Sequence, residues 1–269
     1  KVRNRHRETP RFAVIGYGKL GGKELGYASD LDLVYLYDDD DQDAGENYTR
    51  LGQRLNTWLS SQTAAGTLFE TDLRLRPSGD AGLLAVSIDA FRDYQIGHAW
   101  TWEHQALTRA RYCAGDAAVG ARFEAIRCEI LCQPRDLAEL RGEVVAMRQK
   151  MYDAKASNSQ TEFDLKHDPG GIIDVEFIVQ YLVLGHAHRH PELTGNLGNI
   201  ALLRIAGELG LIDPAQGKAA GDAYREYRRR QHIKRLSATP KGREPREEIE
   251  RQIAAVDLLW RAVFGEASR

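Results

Sequence analysis

Two aspartates, Asp30 and Asp32, flank Leu31 at the start of an apolar segment that predicts a β-strand over residues 31–37. Side chains alternate between the two faces of a strand, so both carboxylates point the same way. Two like charges side by side are unfavourable unless a cation lies between them. Carboxylate oxygens suit Mg²⁺, which also binds substrate phosphates. The alternative is that Asp30 caps a turn and Asp32 is an ordinary surface residue of the strand.

A glycine-rich segment precedes these aspartates and follows a predicted buried strand over residues 12–15. Its backbone N–H groups and a short helix N-terminus would lie beside the metal, where such donors hold phosphate oxygens. Coupled to this loop, the aspartate pair favours a metal and phosphate site over the surface alternative. The glycines are Gly16, Gly18, Gly21, Gly22 and Gly26.

The same loop also matches two other phosphate-binding motifs. Gly16–Gly21 fits the dinucleotide fingerprint G-x-G-x-x-G, with Asp38 as a candidate ribose-binding acid. Only 14 residues separate Gly16 from Leu31, which is too few for the glycine turn and a full crossover helix. A P-loop is excluded because Lys23 is followed by Glu24, where that motif requires serine or threonine.

A third aspartate, Asp72, lies in a predicted strand over residues 67–76, with a hairpin partner expected at residues 83–86. If this strand pairs beside the second one, three carboxylates can together hold two metal ions about 3.5–4 Å apart. Asp72 would also accept the proton of an attacking hydroxyl. Arg74 and Arg76 share its face by alternation and would neutralise phosphate charge. The alternative is a salt-bridged surface strand.

Longer segments around these residues resemble glutamine synthetase adenylyltransferase, a family of the polymerase-β-like nucleotidyltransferase superfamily. The superfamily pattern is a strand, a glycine loop, a D-x-D pair and a third acid on a later strand, and Lys19 departs from it where serine is frequent. The resembling segments are FAVIGYGKLGGKELGYASDLDLVYLY, DLRLRPSG, WTWEHQALTRAR and LKHDPGGIIDVEFIVQYL.

Members of that family are long cytoplasmic bacterial proteins with two such halves. One half attaches AMP to a tyrosine of glutamine synthetase, and the other removes it by phosphorolysis. The segments around Ser29-Asp30, AWTWEH and DVE are similar to the adenylylating half. Because the chain begins at Lys1 and not at Met, we expect a fragment of a longer protein.

The resemblance implies transfer of AMP from ATP to a tyrosine hydroxyl of glutamine synthetase, with Mg²⁺, in the regulation of nitrogen assimilation. It implies a cytoplasmic location and, through the full-length enzyme, possible contact with the PII signalling protein. Two other functions stay open: removal of AMP, and a catalytically silent module that binds a nucleotide or glutamine. Retention of all three aspartates argues against the silent module. The implied catalytic and metal-binding residues are Asp30, Asp32 and Asp72, and the implied nucleotide-binding residues are Gly18, Lys19, Gly21, Gly22, Ser29, Arg74 and Arg76.

The elements that position these residues predict an α+β fold. We expect a small polymerase-β-like nucleotidyltransferase domain, a mixed sheet with flanking helices, over residues 1–125, and an all-α helical-bundle domain over residues 126–269. After Ser87, a plausible N-cap, the periodicity predicts helices only. Their expected bounds are 88–97, 100–111, 116–132, 136–154, 172–188, 199–209, 215–236 and 246–264.

Composition sets the broad class of the protein. Of the 269 residues, 42% are hydrophobic and 28% are charged, as in soluble globular proteins. The sequence contains neither an apolar stretch long enough to span a bilayer nor a signal peptide, so we expect no membrane partner. The formal charge of −2 argues neither for nor against nucleic acid, and we assign no such partner.

Two further groups of polar and aromatic residues have roles that the sequence leaves open. The first could stack an adenine, bind a partner or simply pack inside the protein. The second could reach the nucleotide or belong to a solvated loop. The first group is Trp100, Trp102, Glu103, His104, Arg109 and Arg111, and the second is Lys166, His167 and Asp168.

Overall fold

The computed structural model divides the chain into two compact units, Lys1–Leu131 and Cys132–Arg269. Three residues used in the sequence argument, Lys1, Ala28 and Leu68, lie outside the described residues. The structure describes residues 7–27, 29–64, 66–67, 69–155, 157, 159–237 and 242–266.

A five-stranded mixed sheet forms the centre of the first unit. Its strands are β1 (Phe12–Gly16), β2 (Leu31–Tyr37), β3 (Thr71–Asp72), β4 (Ala85–Ser87) and β5 (Arg111–Gly115). β1 lies between β2 and β5 and is antiparallel to both. β3 and β4 both pair in parallel with β2, β3 at its start and β4 at its end. The beginning of β2 is therefore the place where the first and third predicted strands meet.

Five helices accompany this sheet, and aromatic packing fixes the longest of them against it. The ring of Phe12 lies 5.5 Å from that of Tyr35 and 5.8 Å from that of Tyr48, measured between centroids. All three side chains are buried, so the strands that carry the candidate site share one core with a helix. As predicted, Ser87 caps the third helix by accepting the N–H of Ala90. The helices are α1 (Gly18–Gly21), α2 (Ala44–Ser60), α3 (Ile88–Gly97), α4 (Thr101–Leu107) and α5 (Ala117–Leu131).

The predicted third strand and its hairpin are wrong. β3 ends at Asp72, because the Asp72 side chain accepts the backbone N–H of Arg74 at 2.9 Å and turns the chain out of the extended conformation. β4 pairs with β2 instead of β3. The prediction of helices only after Ser87 is also wrong, since β5 returns the chain to the sheet. The expected domain boundary between residues 125 and 126 falls inside α5.

The second unit is mainly helical, which confirms an α+β fold class with a helical part, and it adds a two-stranded antiparallel ribbon. α7 is apolar on nearly every side and packs against the neighbouring helices, so it forms the core of this unit. In the described part of the chain, none of the helices combines the length and apolarity needed to cross a membrane. The elements are α6 (Leu137–Lys155), β6 (Glu162–Asp164), α7 (Ile172–His186), α8 (Asn199–Glu208), α9 (Pro214–Leu236), β7 (Arg243–Pro245) and α10 (Glu250–Phe264).

A buried ion pair connects α6 to α7. Arg148 Nε donates to Asp174 Oδ1 at 2.5 Å, and both side chains are more than nine-tenths buried. The second oxygen of Asp174 accepts the N–H of Gly170 at 2.6 Å, and Arg148 Nη2 donates to the carbonyl of His167 at 2.8 Å. The pair therefore also holds the turn that leads into α7.

We predict that Arg148→Leu destabilises the second unit by about 3–5 kcal/mol, because it leaves the carboxylate of Asp174 buried without its cation. Hydrogen exchange of the α7 amides measures this local stability. The matched control is Arg204→Leu, which removes an exposed arginine paired with Glu208 on α8 and should leave α7 protection unchanged. Equal protection in the two variants would contradict the prediction.

Candidate active site

The three predicted aspartates meet at the start of β2. One carboxylate oxygen from each of Asp30, Asp32 and Asp72 lies within 4.8 Å of the others. Asp32 stands opposite Asp72 in the parallel pairing of β2 with β3, which places both side chains on one face of the sheet. Leu31 and Leu33 are buried on the other face and fix the orientation of Asp32 between them. Asp30 immediately precedes the strand and is exposed.

This donor set fits a hard divalent cation such as Mg²⁺. Carboxylate oxygens are its preferred protein ligands, and opposite ligands of one Mg²⁺ lie roughly 4.2 Å apart at bond lengths of about 2.1 Å. All three oxygens lie within 4.8 Å of one another, close enough for a bound ion to draw them together. Three carboxylates can equally share two ions. Asp30, Asp32 and Asp72 are therefore the residues that could hold the metal.

Arg74 forms an ion pair with both carboxylate oxygens of Asp72. The hydrogen bond from Arg74 is the main reason why the pKa of Asp72 lies below its usual range, so this carboxylate is ionised at neutral pH. A lowered pKa also makes Asp72 a weak base and favours a role as a ligand. The salt bridge that the sequence offered as an alternative is thus present within the cluster itself.

Arg76 does not contact Asp72. Its Nη1 donates to the carbonyl of Leu73 at 2.7 Å, and its Nε donates to the carbonyl of Gly82 at 3.3 Å. The alternation that placed both arginines on the face of Asp72 ends with β3, which is why only Arg74 reaches it. Both arginines nevertheless line one open cavity of about 570 Å³ with Asp30 and Asp72. That cavity therefore combines carboxylates that could hold a metal with two cations suited to phosphate.

The glycine loop approaches the cluster at Gly18. This residue has φ +51°, and a Cβ placed there would lie 2.1 Å from Asp32 Oδ2. Only glycine allows the backbone both this conformation and this approach. The N–H of Tyr17 donates to the carbonyl of Asp32 at 2.9 Å, which ties the start of the loop to β2. Lys19 follows within α1.

The other predicted nucleotide-binding residues lie farther along the loop. A Cβ at Gly21 would lie 2.0 Å from the carbonyl oxygen of Arg109, and one at Gly22 would lie 2.6 Å from its guanidinium. Ser29 is buried, and its hydroxyl accepts the N–H of Gly26 at 3.1 Å. These three residues shape the loop and its exit, whereas Gly18 lies directly beside a carboxylate of the cluster.

The aromatic and charged group of residues 100–111 is largely engaged within the first unit. Glu103 accepts the N–H of Trp100 and the hydroxyl of Tyr94, each at 2.9 Å. His104 Nε2 lies 2.8 Å from the carbonyl of Gln95. Trp100 stays 70% exposed, so it is available to a partner. The two arginines of this group contact the glycine loop, a role that the sequence interpretation missed because β5 was not predicted.

Comparison with known proteins places this site in a family. The family model described as Glutamate-ammonia ligase adenylyltransferase matches residues 1–126, and the one described as GlnD PII-uridylyltransferase matches residues 138–256. The chain is 64% identical over 267 residues to a protein of Aromatoleum aromaticum named bifunctional glutamine synthetase adenylyltransferase/adenylyl-removing enzyme. Proteins of the same name from Nitrosomonas europaea and Bordetella bronchiseptica are 57% and 58% identical to it.

Over nearly its whole length the chain is similar to glutamine synthetase adenylyltransferases. The match covers 98–99% of this chain but only 28–30% of the length of these three relatives. The segments shared with the glutamine synthetase adenylyltransferases therefore include the aspartate cluster, the glycine loop and the helical unit.

In the helical unit, the three residues 166–168, whose role the sequence left open, have different environments. Asp168 is buried and accepts the N–H groups of Ser157 at 2.7 Å and Asp164 at 2.9 Å, so it organises the loop before α7. His167 Nδ1 lies 3.2 Å from Asp164 Oδ2. Lys166 is exposed. Asp168 thus has a structural role, and Lys166 alone of these residues faces solvent.

We predict that Gly18→Ala lowers divalent-metal affinity by about 10- to 100-fold, the range typical of changes to groups that orient metal ligands. The added methyl group must displace either the carboxylate of Asp32 or the loop, whereas the core of the unit is untouched. Titration with Mn²⁺ measures the affinity, and thermal melting checks the fold. Gly97→Ala is the control, because nothing lies within 4 Å of a Cβ at that exposed helix end. Unchanged affinity in Gly18→Ala would refute the close approach.

Proposed function

We propose that this chain is a Mg²⁺-dependent protein adenylyltransferase, which moves AMP from ATP to a tyrosine hydroxyl of glutamine synthetase. The observation that carries the proposal is the meeting of Asp30, Asp32 and Asp72 next to a glycine loop that touches one of them. The printed name of the relatives supports glutamine synthetase as the acceptor. Since the chain spans under a third of those relatives, activity and acceptor are proposals for this chain.

Each part of the site has a task in this reaction. The backbone at Gly18 and Lys19 lies where it can bind phosphate oxygens beside the carboxylates. Arg74 and Arg76 line the cavity and would offset the charge of the departing pyrophosphate. Asp30, Asp32 and Asp72 would hold Mg²⁺, which would supply Lewis-acid stabilisation of the negative charge that develops on the phosphates.

The bond changes are those of a simple displacement at phosphorus. The tyrosine oxygen bonds to the α-phosphorus, the bond to the β-phosphate oxygen breaks, and the hydroxyl proton is released. Asp72 is the candidate to take that proton, although its ion pair with Arg74 makes it a better ligand than base. The task of the chain is therefore mainly to align oxygen, phosphorus and leaving group.

The relatives leave the direction of the reaction open, since their name includes both attachment and removal of AMP. Attachment needs positive charge for a pyrophosphate, and Lys19, Arg74 and Arg76 supply it near the cluster. Removal by phosphorolysis needs a place for one phosphate nucleophile. Arg74 and Arg76, which line the cavity, favour attachment, and phosphorolysis is the second candidate.

Location and a further partner follow from the same proposal. A protein that modifies glutamine synthetase would act in the cytoplasm, where we place this one. The likeness of residues 138–256 to the family described as PII-uridylyltransferase supports the PII protein as a partner of the full-length enzyme.

We predict that Asp32→Asn abolishes AMP transfer while the protein stays folded. Loss of one negative ligand weakens the metal site, and removal of like-charge repulsion leaves the melting temperature equal or higher. The measurement is incorporation of labelled AMP into glutamine synthetase, with thermal melting on the same sample. Asp93→Asn, which makes the same charge change at an exposed position on α3, should transfer AMP normally. Transfer by Asp32→Asn at the control rate would remove Asp32 from the site.

We predict that the chain attaches AMP faster than it removes it. Unmodified glutamine synthetase is incubated with ATP and Mg²⁺, and adenylylated glutamine synthetase is incubated separately with inorganic phosphate and Mg²⁺. AMP incorporation in the first reaction should exceed ADP release in the second, because Arg74 and Arg76 line the cavity and would offset the charge of the departing pyrophosphate. Faster ADP release would assign the chain to the removing half, and Asp32→Asn should stop whichever reaction occurs.

A further inference from the structure

Topology brings an arginine to the exit of the glycine loop. β5 pairs antiparallel with β1, and in that register Arg111 stands opposite Gly16, the last residue of β1. The glycine loop begins directly after Gly16, so the first residue of β5 lies next to it. One residue, Ala110, separates Arg111 from Arg109, and both side chains turn toward the loop.

Arg111 binds the end of the loop through two donors. Its Nε donates to the carbonyl of Gly21 at 3.1 Å, and its Nη2 donates to the carbonyl of Leu20 at 3.1 Å. These carbonyls belong to the last turn of α1, where a helix ends with few intrahelical partners for its acceptors; the carbonyl of Leu20 also accepts the N–H of Lys23 at 3.3 Å. An arginine at this end satisfies them and opposes their partial negative charge.

Arg109 fixes the next few residues. Its Nη2 donates to Glu24 Oε2 at 2.7 Å, and both side chains are more than four-fifths buried. The backbone of Arg109 lies so close to the loop that a Cβ at Gly21 would meet its carbonyl oxygen at 2.0 Å. The segment from Arg109 to Arg111 thus contacts the loop through backbone and side chains.

The opposite end of the loop lies on the metal-binding carboxylate. The N–H of Tyr17 binds the carbonyl of Asp32, and Gly18 lies against the Asp32 side chain. A four-residue turn held at both ends cannot shift at one end without moving the other. Any displacement at Gly21 would change the distance between the N–H groups near Gly18 and the cluster.

We infer that Arg111 is a positioning residue for the nucleotide, supported by the ion pair of Arg109 with Glu24. It holds the glycine loop at the separation from the aspartate cluster that lets one phosphate chain contact both. Neither arginine touches the phosphate in this role, because their donors are engaged with the loop and with Glu24. The inference rests on the proposed function, since it assumes that the loop and the cluster bind one nucleotide.

The variant Arg111→Lys distinguishes two possible roles of Arg111, holding the loop in place and supplying a positive charge. A lysine keeps the positive charge but lacks the planar fork that reaches two carbonyls at once. If Arg111 acts by holding the loop, Arg111→Lys must weaken nucleotide binding almost as much as Arg111→Gln does. If it acts only through its charge, Arg111→Lys must restore binding.

The experiment uses the whole chain with Arg111→Lys, Arg111→Gln and wild type. We expect both variants to bind α,β-methylene-ATP with Mg²⁺ about tenfold or more weakly, because a small misplacement of binding groups has a large effect. Affinity for Mn²⁺ alone should stay within about twofold of wild type, since the three aspartates are unchanged. Hydrogen exchange of amides 18–22 should accelerate while the melting temperature changes little, a pattern that global destabilisation does not produce.

Three outcomes would overturn the inference. They are wild-type nucleotide affinity in both variants, restoration of that affinity by lysine alone, and parallel loss of Mn²⁺ and nucleotide binding in a folded protein. If both variants fail to fold, Glu24→Gln decides, since it keeps both arginines and should still weaken nucleotide binding about two- to threefold; no change there refutes the inference. Asp32→Asn serves as the reference: if it binds Mn²⁺ and nucleotide normally, the proposed function fails independently of Arg111.

Discussion

Electrostatic repulsion among three carboxylates is the constraint on which this site depends. Asp30, Asp32 and Asp72 offer oxygens within 4.8 Å of one another. Such a cluster persists only if positive charge lies nearby and the backbone prevents the side chains from moving apart. The backbone is fixed because β2 buries its alternate leucines and pairs with β3 at the position of the aspartates. Arg74 supplies part of the positive charge. A divalent cation would supply the remainder, and that need favours a metal site over an acidic surface.

The same constraint explains the conformation of the glycine loop. Phosphate can join the cluster only if backbone donors come close to the carboxylates, and any side chain at Gly18 would collide with Asp32. The loop must therefore be both glycine-rich and rigid, two properties that conflict, because glycine adds conformational freedom. In this chain the rigidity comes from outside the loop, through the strand pairing of Gly16 and the hydrogen bonds of Arg111.

The two units differ in how their clustered or buried charged side chains are compensated. In the second unit Arg148 and Asp174 are buried together, neutralise each other and bind the turn that enters α7. This is a closed arrangement that stabilises a helix junction. In the first unit the carboxylates outnumber the adjacent cation and border an open cavity. An excess of like charge at an accessible site indicates ligand binding, whereas a balanced buried ion pair indicates a structural role.

The sequence by itself determined whatever local periodicity encodes. Alternation put Asp30 and Asp32 on one face, helical spacing located the helices within a few residues, and the motifs around them identified the family. Tertiary structure decided the rest. The register that sets Asp32 beside Asp72, the turn that ends β3, and the pairing of Gly16 with Arg111 all join residues whose contacts no local pattern specifies. Local periodicity fixes the type and the buried face of an element. Which elements become neighbours depends on loop closure and packing across the whole unit.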